Sequence, residues 1–309
     1  MTSKKHMIIL NPTADRGNAL KRIPLIRELM DGHGLDYEIL QTTAQLHAVD
    51  LAKQAVRDGF DVVVSASGDG TANEVINALM EMKAEKDHSV QLGVLPIGTG
   101  NDFAYGANIP EELEDAIKII ADGKAKAIDI GFVEGGDFPE GRYFGNCIGV
   151  GFDAETGFVA AGLSPLRGFL SYIVAAVLTA FIYFKAPTLE IEFDDKKIVK
   201  ISLMCSIMLG TRLGGGFYMA PDAKNDDGLY DVCIVDEVSS TRVLGLIPYF
   251  FKGTQESQEE VEIIQAKKLK VTAIKGNLSA HVDGETLCEK GKSVEVEMFP
   301  KAIKVLCEC

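Results

Sequence analysis

Along the first 130 residues, short apolar runs alternate with longer segments whose apolar residues recur at helical spacing. Short apolar runs typical of strands lie at residues 6–10, 37–40, 61–65 and 90–95. Apolar positions at helical spacing lie between and after them, at residues 19–30, 44–57, 71–82 and 111–121. Pro24 is expected at a helix start. The buried side of the second helix is expected to carry Leu46, Val49, Ala52 and Val56. This order predicts a mostly parallel sheet covered by helices.

The pattern changes after about residue 130. Strand-like runs then follow one another at residues 143–150, 188–193, 198–209, 229–235, 261–264, 269–273, 278–282 and 294–298. Helical patterns interrupt them near residues 166–184 and 240–251. We therefore expect an α/β domain at residues 1–130 and an antiparallel β-sandwich at residues 131–297, with residues 298–309 returning to the first domain.

Residues 169–184 form an uncharged apolar stretch. It is shorter than the roughly 20 residues that a spanning helix needs. Because it is apolar all round, it favours a helix buried in the core or between domains. A helix that contacts lipid at an interface is the second alternative, and a true membrane span is the third.

Composition and charge narrow the class of protein. Of the 309 residues, 47% are hydrophobic and 25% are charged, which fits a soluble globular protein and excludes a disordered or collagen-like chain. The formal net charge of −14 argues against a nucleic-acid binder. The six cysteines show no zinc-module spacing and favour reduced thiols in a cytoplasmic protein.

The strongest chemical signal is the segment Ser67-Gly68-Asp69-Gly70-Thr71-Ala72-Asn73-Glu74, which follows a strand and opens a helix. Glycines at a helix N-terminus let backbone N–H groups approach a phosphate. Thr71 and Glu74 also fit a capping box, which would make Glu74 structural. Capping does not explain Asp69, so we interpret Asp69 as functional.

Polar groups follow three other strands of the predicted sheet. The loop after the fourth strand carries Gly98, Thr99, Gly100, Asn101 and Asp102. Asn11-Pro12-Thr13 follows the first strand, and Thr42 follows the second. Because the carboxyl ends of parallel strands meet at one edge of a sheet, these groups predict a ligand site there.

Several motifs in order resemble the diacylglycerol kinase catalytic domain, and more narrowly the soluble bacterial diacylglycerol and lipid kinases, which are related to sphingosine and NAD kinases. They are NPTA at 11–14, GDGT at 68–71, GTGNDFA at 98–104, IDIG at 128–131, DDGLYD at 226–231 and DGE at 283–285. One departure is Ser67, which stands where the family's commonest form has glycine.

The resemblance implies ATP bound in a cleft between the two domains. The positions it implies for the nucleotide are Asn11, Pro12, Thr13, Thr42, Gly68, Asp69, Gly70, Thr71, Asn73, Thr99 and Asn101. Asp69 and Asp102 would organise Mg²⁺ at the phosphates, and Asp129 would extend that network. Glu285 would be the general base.

The resemblance also implies a structural Mg²⁺ site made by Asp227 with the carbonyls of Lys224 and Leu229. Without it, the segment at residues 226–228 reads equally as an acidic turn, and the one at 283–285 as a tight turn between strands.

The expected function is an ATP- and Mg²⁺-dependent lipid kinase, with diacylglycerol as substrate and phosphatidic acid as product. Such a protein would be cytoplasmic, would visit the membrane surface for its lipid, and is compatible with a homodimer. The apolar segments at 169–184 and 247–251 would contact lipid.

The alternatives are another acceptor (phosphatidylglycerol, a sphingoid base or ceramide) and a catalytically silent nucleotide- or lipid-binding regulator. NAD kinase is disfavoured, because its second motif differs from GTGNDFA.

Overall fold

A computed structural model of the chain describes residues 4–163, 169–183 and 185–308. Its contacts divide the chain into two compact units. The first runs to Ile130 and includes the segment from Pro300 onward, and the second is Gly131–Phe299. Residues 166–168 and Phe184, which belong to a predicted helix, lie outside the described residues.

The elements of the first unit follow one another as β1 (Lys5–Leu10), α1 (Ala14–Gly17), α2 (Ala19–Gly32), β2 (Asp36–Gln41), α3 (His47–Arg57), β3 (Val62–Ser67), α4 (Asp69–Glu85), β4 (Gln91–Pro96), α5 (Asp102–Gly106) and α6 (Leu113–Asp122). Strand β5 (Ala125–Gly135) begins in this unit and continues into the second.

The sheet of the first unit confirms the predicted parallel arrangement. Strands β4, β3, β1 and β2 are adjacent in that order, and each neighbouring pair is parallel. Every residue of β3 is buried, as expected for a strand covered on both faces. The end of the chain adds a further parallel strand, because Lys304 and Val305 pair with Gln91 and Leu92 of β4.

Two helical predictions were wrong in detail. Helix α2 continues through Pro24, because burial of Ala19, Ile26 and Met30 on one face holds it together on both sides of the proline. Helix α3 buries Ala48, Leu51, Ala52 and Ala55, whereas Leu46 is exposed at its N-terminal cap. The small alanines bring α3 close to its neighbours, so its buried face is rotated from the one that the larger side chains indicated.

The elements that follow are β6 (Phe138–Phe144), β7 (Cys147–Gly151), α7 (Phe152–Gly162), α8 (Phe169–Leu178), β8 (Thr188–Phe193), β9 (Lys196–Met208), β10 (Arg212–Leu213), β11 (Phe217–Tyr218), β12 (Tyr230–Asp236), α9 (Ser240–Lys252), β13 (Val261–Ala266), β14 (Leu269–Lys275), β15 (Leu278–Val282), β16 (Glu285–Gly291) and β17 (Ser293–Leu306).

The second unit is the predicted antiparallel β-sandwich. One sheet runs β16-β15-β7-β9-β12-β13, and the other runs β9-β8-β14-β17. The long strand β9 belongs to both, because its first half pairs with β8 and its second half with β7 and β12. Apolar side chains from both sheets, including Ile207, Val232 and Val271, form the core between them.

Helix α7 was not predicted. Its buried residues, Phe152, Ala154 and Thr156, alternate with less buried ones, which is the period of a strand. The predicted strand at 143–150 is interrupted at Gly145 and Asn146, where the chain passes from β6 to β7.

Between residues 171 and 182, the apolar stretch is buried along part of its surface only. Helix α8 and the π-helical turn after it (Thr179–Tyr183) bury Ala175, Ala176 and Thr179. Phe181 and Ile182, in contrast, are 54% and 64% exposed. Within the described residues, no helix is both long enough and apolar enough to cross a membrane.

The second apolar segment, at 247–251, packs into the protein. Phe250 is buried among the side chains between α9 and the sheet, and the ring of Phe251 stacks on that of Phe217 at 4.7 Å. Pro248 is exposed and the other three residues of the segment are half-buried, so the contact of this segment with lipid stays a prediction.

Candidate active site

Two glycine-containing loops meet at the carboxyl edge of the parallel sheet. Gly68 caps the N-terminus of α4, so the first amides of that helix point out of this edge. A Cβ placed on Gly68 would lie 3.1 Å from Cα of Gly98, and one placed on Gly98 would collide with Cα of Gly68. Only glycine permits this approach of the two backbones.

Asn101 holds the second loop in its shape. It adopts a left-handed conformation with φ of 51°. Its Oδ1 accepts from the N–H of Gly98 at 2.9 Å, and its Nδ2 donates to the carbonyl of the same residue at 3.2 Å. Thr99, between them in sequence, is exposed. Asn101 thus shapes the loop, whereas the Thr99 side chain is open to solvent.

The carboxylates of Asp69 and Asp102 converge at this loop. Oδ1 of Asp69 accepts from the N–H of Phe103 at 2.9 Å. The Oδ2 atoms of Asp69 and Asp102 lie 3.0 and 3.3 Å from the point where a Cβ of Gly100 would stand. Two carboxylate oxygens that face one small space are hard donors, and this set fits Mg²⁺.

Asn11 and Thr13 are tied to the same edge. Asn11 Oδ1 accepts from the N–H and the hydroxyl of Thr13, at 3.0 and 2.8 Å. Its Nδ2 donates to Thr71 Oγ1 at 3.2 Å, and the Thr71 hydroxyl donates to Ser67 Oγ at 2.9 Å. Ser67, the one departure from the family motif, therefore takes part in a chain of hydrogen bonds that joins β1 to the start of α4.

Three other predicted site residues have structural partners. Asn73 is buried and accepts from Asn77 Nδ2 at 3.0 Å. Thr42 is also buried, and its N–H donates to the Leu10 carbonyl at 2.9 Å. Asp129 is fully buried, and its Oδ1 accepts from the N–H of Lys301 at 2.7 Å, which fixes the returning C-terminal segment.

The capping box predicted for Glu74 is wrong. Its two oxygens accept from the N–H groups of Leu46 at 3.1 Å and Ala48 at 3.0 Å. Glu74 therefore caps the neighbouring helix α3 instead of its own. The N-terminus of α3 lies beside α4 in the fold, which sequence spacing within α4 could not indicate.

In the second unit, Glu285 directly follows a two-residue turn that hydrogen bonds from another segment of the chain stabilise. Asp283 and Gly284 have φ of 45° and 85°, which is typical of a tight β-hairpin. The Asp283 carboxylate accepts from three consecutive N–H groups, those of Gly145, Asn146 and Cys147, at 2.8 to 3.0 Å. The predicted tight turn is present, and it fixes Glu285 as the first residue of β16.

Glu285 is paired with an arginine that the sequence did not indicate. Oε2 of Glu285 lies 2.8 Å from Nη2 of Arg142, which is buried. The guanidinium also lies over the ring of Phe138, 4.8 Å from its centre. Nε and Nη2 of Arg142 have no hydrogen-bond partner among the described residues, so the contact with Glu285 is an ion pair through one nitrogen.

The segment with the predicted structural Mg²⁺ site is an acidic turn. Asp227 Oδ1 accepts from the N–H of Leu229 at 3.0 Å, and Gly228 has φ of 75°. Lys224 and Asp227 are exposed. A carboxylate oxygen is a hard donor of the kind that Mg²⁺ prefers, and the metal site at this turn stays a prediction.

Comparison with known families covers both units. The diacylglycerol kinase catalytic domain matches residues 5–133, and the YegS C-terminal NAD kinase β-sandwich-like domain matches residues 146–307. A diacylglycerol kinase of Bacillus subtilis (strain 168) is 30% identical over 284 residues, which are 91% of this chain and 90% of that protein. The chain belongs to the diacylglycerol kinase family.

Two other diacylglycerol kinases are similar to this chain in sequence or fold. A diacylglycerol kinase of Staphylococcus saprophyticus is 27% identical over 91% of this chain and 89% of its own. A crystal structure of a diacylglycerol kinase from Bacillus anthracis covers all of this chain and 98% of that one, with a TM-score of 0.74 and 20% identity. That likeness shows that the fold is shared.

This family member also has a buried polar cluster close to the Asp283–Gly284 turn. The N–H of Gly284 donates to His281 Nδ1 at 3.3 Å, and Ser206 Oγ donates to Asp153 Oδ2. Burial lowers the pKa of His281, against the effect of the Asp153 and Asp283 carboxylates. Burial also raises the pKa of Asp153, against the effects of His281 and Ser206. In both groups burial disfavours the charged form.

Proposed function

We propose that this chain is a lipid kinase that transfers the γ-phosphoryl group of ATP to a lipid hydroxyl, with diacylglycerol as the acceptor and phosphatidic acid as the product. The observation that carries the proposal is the convergence of the Asp69 and Asp102 carboxylates over Gly100, between two closely packed glycine loops. Family membership supports the reaction class, and the Bacillus and Staphylococcus relatives are named for this acceptor.

The first unit would bind the nucleotide. The N-terminal amides of α4 would donate to phosphate oxygens, and Asn101 would hold the neighbouring loop in shape by accepting from the N–H of Gly98. Thr99 would contact the nucleotide directly, because it is the exposed hydroxyl of that loop. Asn11, Thr13 and Thr71 would hold the edge through their mutual hydrogen bonds. Asn73 and Asn101 would act by shaping the backbone.

The carboxylates of Asp69 and Asp102 would hold Mg²⁺ at the phosphates, and the turn of Lys224, Asp227 and Leu229 would hold a structural one. When bound, Mg²⁺ neutralises charge on the transferring phosphoryl group. Asp69 would keep its orientation through the N–H of Phe103.

Glu285 would act as the general base. It would take the proton from the lipid hydroxyl as that oxygen attacks the γ-phosphorus of ATP, while the bond from this phosphorus to the bridging oxygen breaks and ADP leaves. The hairpin turn fixes its backbone, and Arg142 fixes its carboxylate. A general base has to be positioned against the one oxygen atom that it deprotonates, and these two constraints would provide that positioning.

The acceptor would be collected at a membrane surface. Phe181 and Ile182 are the two most exposed of the large apolar side chains that the structure describes as exposed, and they are adjacent. Inserted into the interface, they would each bury apolar area against lipid. The chain's net charge of −14 makes this apolar contact more important, because charge alone repels anionic membranes.

Transfer of labelled phosphate from ATP to lipids in mixed micelles, with Mg²⁺, tests the function. The acceptors are diacylglycerol, phosphatidylglycerol, a sphingoid base and ceramide, and NAD is the soluble control. Glu285→Gln is expected to lose activity by about 10²–10⁴-fold. Glu289→Gln is the matched control, because Glu289 is an exposed carboxylate on the same strand.

The outcomes separate the alternatives. Transfer to diacylglycerol that is lost in Glu285→Gln supports the proposal. Transfer to another lipid corrects the acceptor, and transfer to NAD alone overturns the lipid assignment. ATP binding without any transfer would favour the silent regulator.

A further inference from the structure

A buried histidine adjoins the turn that carries the proposed base. His281 is 5% exposed on β15 and pairs with Thr286 of β16 on one side and with Gly149 of β7 on the other. Gly149 in turn pairs with Ser206 of β9. Residues that pair across neighbouring strands place their side chains on the same face of a sheet. The imidazole and the Ser206 hydroxyl therefore belong to one face.

Gly149 lets the imidazole meet a carboxylate over β7. A Cβ on Gly149 would collide with Nε2 of His281, and it would lie 2.5 Å from Oδ2 of Asp153 on α7. The Asp153 carboxylate has fixed partners of its own, because Oδ2 accepts from the Ser206 hydroxyl and Oδ1 accepts from the N–H of Ala154 at 2.8 Å. The edge of the His281 ring that carries Nε2 thus faces a carboxylate that is held in place.

The other nitrogen of the ring contacts the turn. Nδ1 of His281 accepts from the N–H of Gly284 at 3.3 Å. An imidazole nitrogen that accepts a hydrogen bond carries no proton, so in the neutral ring the proton is on Nε2, on the side of Asp153. Burial lowers the pKa of His281, which favours this neutral ring over the imidazolium. His281 therefore contacts both α7, through Asp153, and the turn before β16.

The contact with Gly284 lies one peptide bond from Glu285. Gly284 has φ of 85°, a left-handed conformation that glycine adopts readily, and Glu285 is the next residue. Glu285 pairs with Val282, whereas the residue after Glu285 pairs with His281. Because side chains alternate along a strand, Glu285 and His281 lie on different faces of the sheet. Any effect of His281 on Glu285 therefore passes through the backbone of the turn.

We propose that His281 is a positioning residue for Glu285, an inference that rests on the proposed function because Glu285 is the proposed base. By accepting from the N–H of Gly284, the ring would hold the peptide unit before Glu285 in one orientation, while Asp153 holds the ring. The Asp283 carboxylate joins the first residue of the turn to another segment of the chain. His281 would hold the second residue, which that carboxylate does not contact through its own hydrogen bonds.

Two amide substitutions separate the two contacts of the ring. In His281→Asn, the amide oxygen stands where Nδ1 does, two bonds from Cβ, so the contact with Gly284 is kept. In His281→Gln, the amide reaches the position of Nε2, three bonds from Cβ, so the contact with Asp153 is kept and that with Gly284 is lost. Ser279→Ala is the matched control, because it removes another buried polar group of β15, whose hydroxyl donates to Glu155 on α7.

Transfer of labelled phosphate from ATP to diacylglycerol, or to whichever lipid of the panel accepts it, gives kcat and KM for each variant. Hydrogen exchange at the Gly284 amide reports the contact itself, without catalysis. We expect His281→Gln to lower kcat by about tenfold or more, with KM for ATP little changed, and to speed exchange at Gly284. His281→Asn and Ser279→Ala should keep kcat within about twofold of the wild type.

Equal kcat in His281→Asn and His281→Gln would overturn the proposal, because packing alone would then explain the ring. Faster exchange at Gly284 without a change in kcat would overturn it too, and both results would leave the proposed function intact. A wild type that transfers phosphate to no lipid would overturn that function and this inference with it. If circular dichroism shows that His281→Gln is unfolded, Asp153→Asn decides, because it removes the charged acceptor that faces Nε2. A lower kcat there supports the proposal, and an unchanged kcat counts against it.

Discussion

Arg142 is the side chain that would orient the proposed base. Its Nη2 lies 2.8 Å from Glu285 Oε2, and its guanidinium lies over Phe138. Arg142→Lys keeps the charge but loses the planar guanidinium group and its contact with the ring. We expect kcat for lipid phosphorylation to fall on the order of 10²-fold, with KM for ATP little changed. Steady-state kinetics with each substrate varied in turn measures both.

A double-mutant cycle is the control for this residue-level prediction. If Arg142 acts through Glu285, then Arg142→Lys should have little further effect in the Glu285→Gln protein. Losses that multiply in the double variant would contradict the positioning role and would indicate that Arg142 acts elsewhere.

Single residues could be predicted where their position along the chain implies their place in the fold. Asp69 and Asp102 follow neighbouring parallel strands, so their meeting at one edge could be expected from the sequence. Arg142 and Asp283 could not be recognised in the same way, because their partners lie more than 130 residues away along the chain. Such contacts depend on which strands pair, and a single sequence does not reveal that.

At the scale of elements, Asp283 joins the turn before β16 to the start of β7. Its carboxylate accepts three N–H groups, of which that of Cys147 is the shortest at 2.8 Å. Asp283→Ala leaves those donors without an acceptor, at a cost of roughly 3 kcal/mol or more. We expect hydrogen exchange at Gly145, Asn146 and Cys147 to become on the order of 10²-fold faster.

Asp194 offers a matched control for that prediction. It also has a positive φ, of 48°, and also accepts from two backbone N–H groups, those of Lys267 and Lys268. It is exposed, however, so water can replace its carboxylate. Asp194→Ala should therefore change exchange much less. Equal effects in the two variants would show that the hydrogen bonds to Asp283 stabilise the backbone no more than those to the exposed Asp194.

Elements were predicted best where the apolar pattern is typical of one kind of element. The Val62–Ser67 strand is buried throughout and was recognised from its run of valines. Helix α7 was missed because its buried residues alternate as in a strand. The partner of Glu74 was missed for a different reason. The amides that Glu74 caps belong to α3. The spacing of residues within α4 does not indicate which other helix lies beside it.

At the scale of the whole molecule, the change of hydrophobic period predicts an α/β architecture followed by an antiparallel sandwich, and both are present. The period reports how many faces of a strand are buried, so it distinguishes parallel from antiparallel layers. It does not report where a strand passes from one sheet to another. That is why the double membership of β9 appears only in the structure.

For the proposed function, the whole molecule would have to reach a lipid while carrying a net charge of −14. We therefore expect binding to zwitterionic vesicles that contain diacylglycerol to exceed binding to anionic ones, and to depend on Phe181 and Ile182. Phe181→Ser with Ile182→Ser should weaken vesicle binding by roughly 10²-fold or more, because two large apolar side chains no longer enter the interface.

Ile274→Ser, at a residue that is 52% exposed on β14, is the matched control and should bind normally. Vesicle flotation measures binding, and turnover of a short-chain diacylglycerol in solution shows that the double variant remains active. Unchanged flotation of the double variant would show that this pair of side chains is not the contact with lipid.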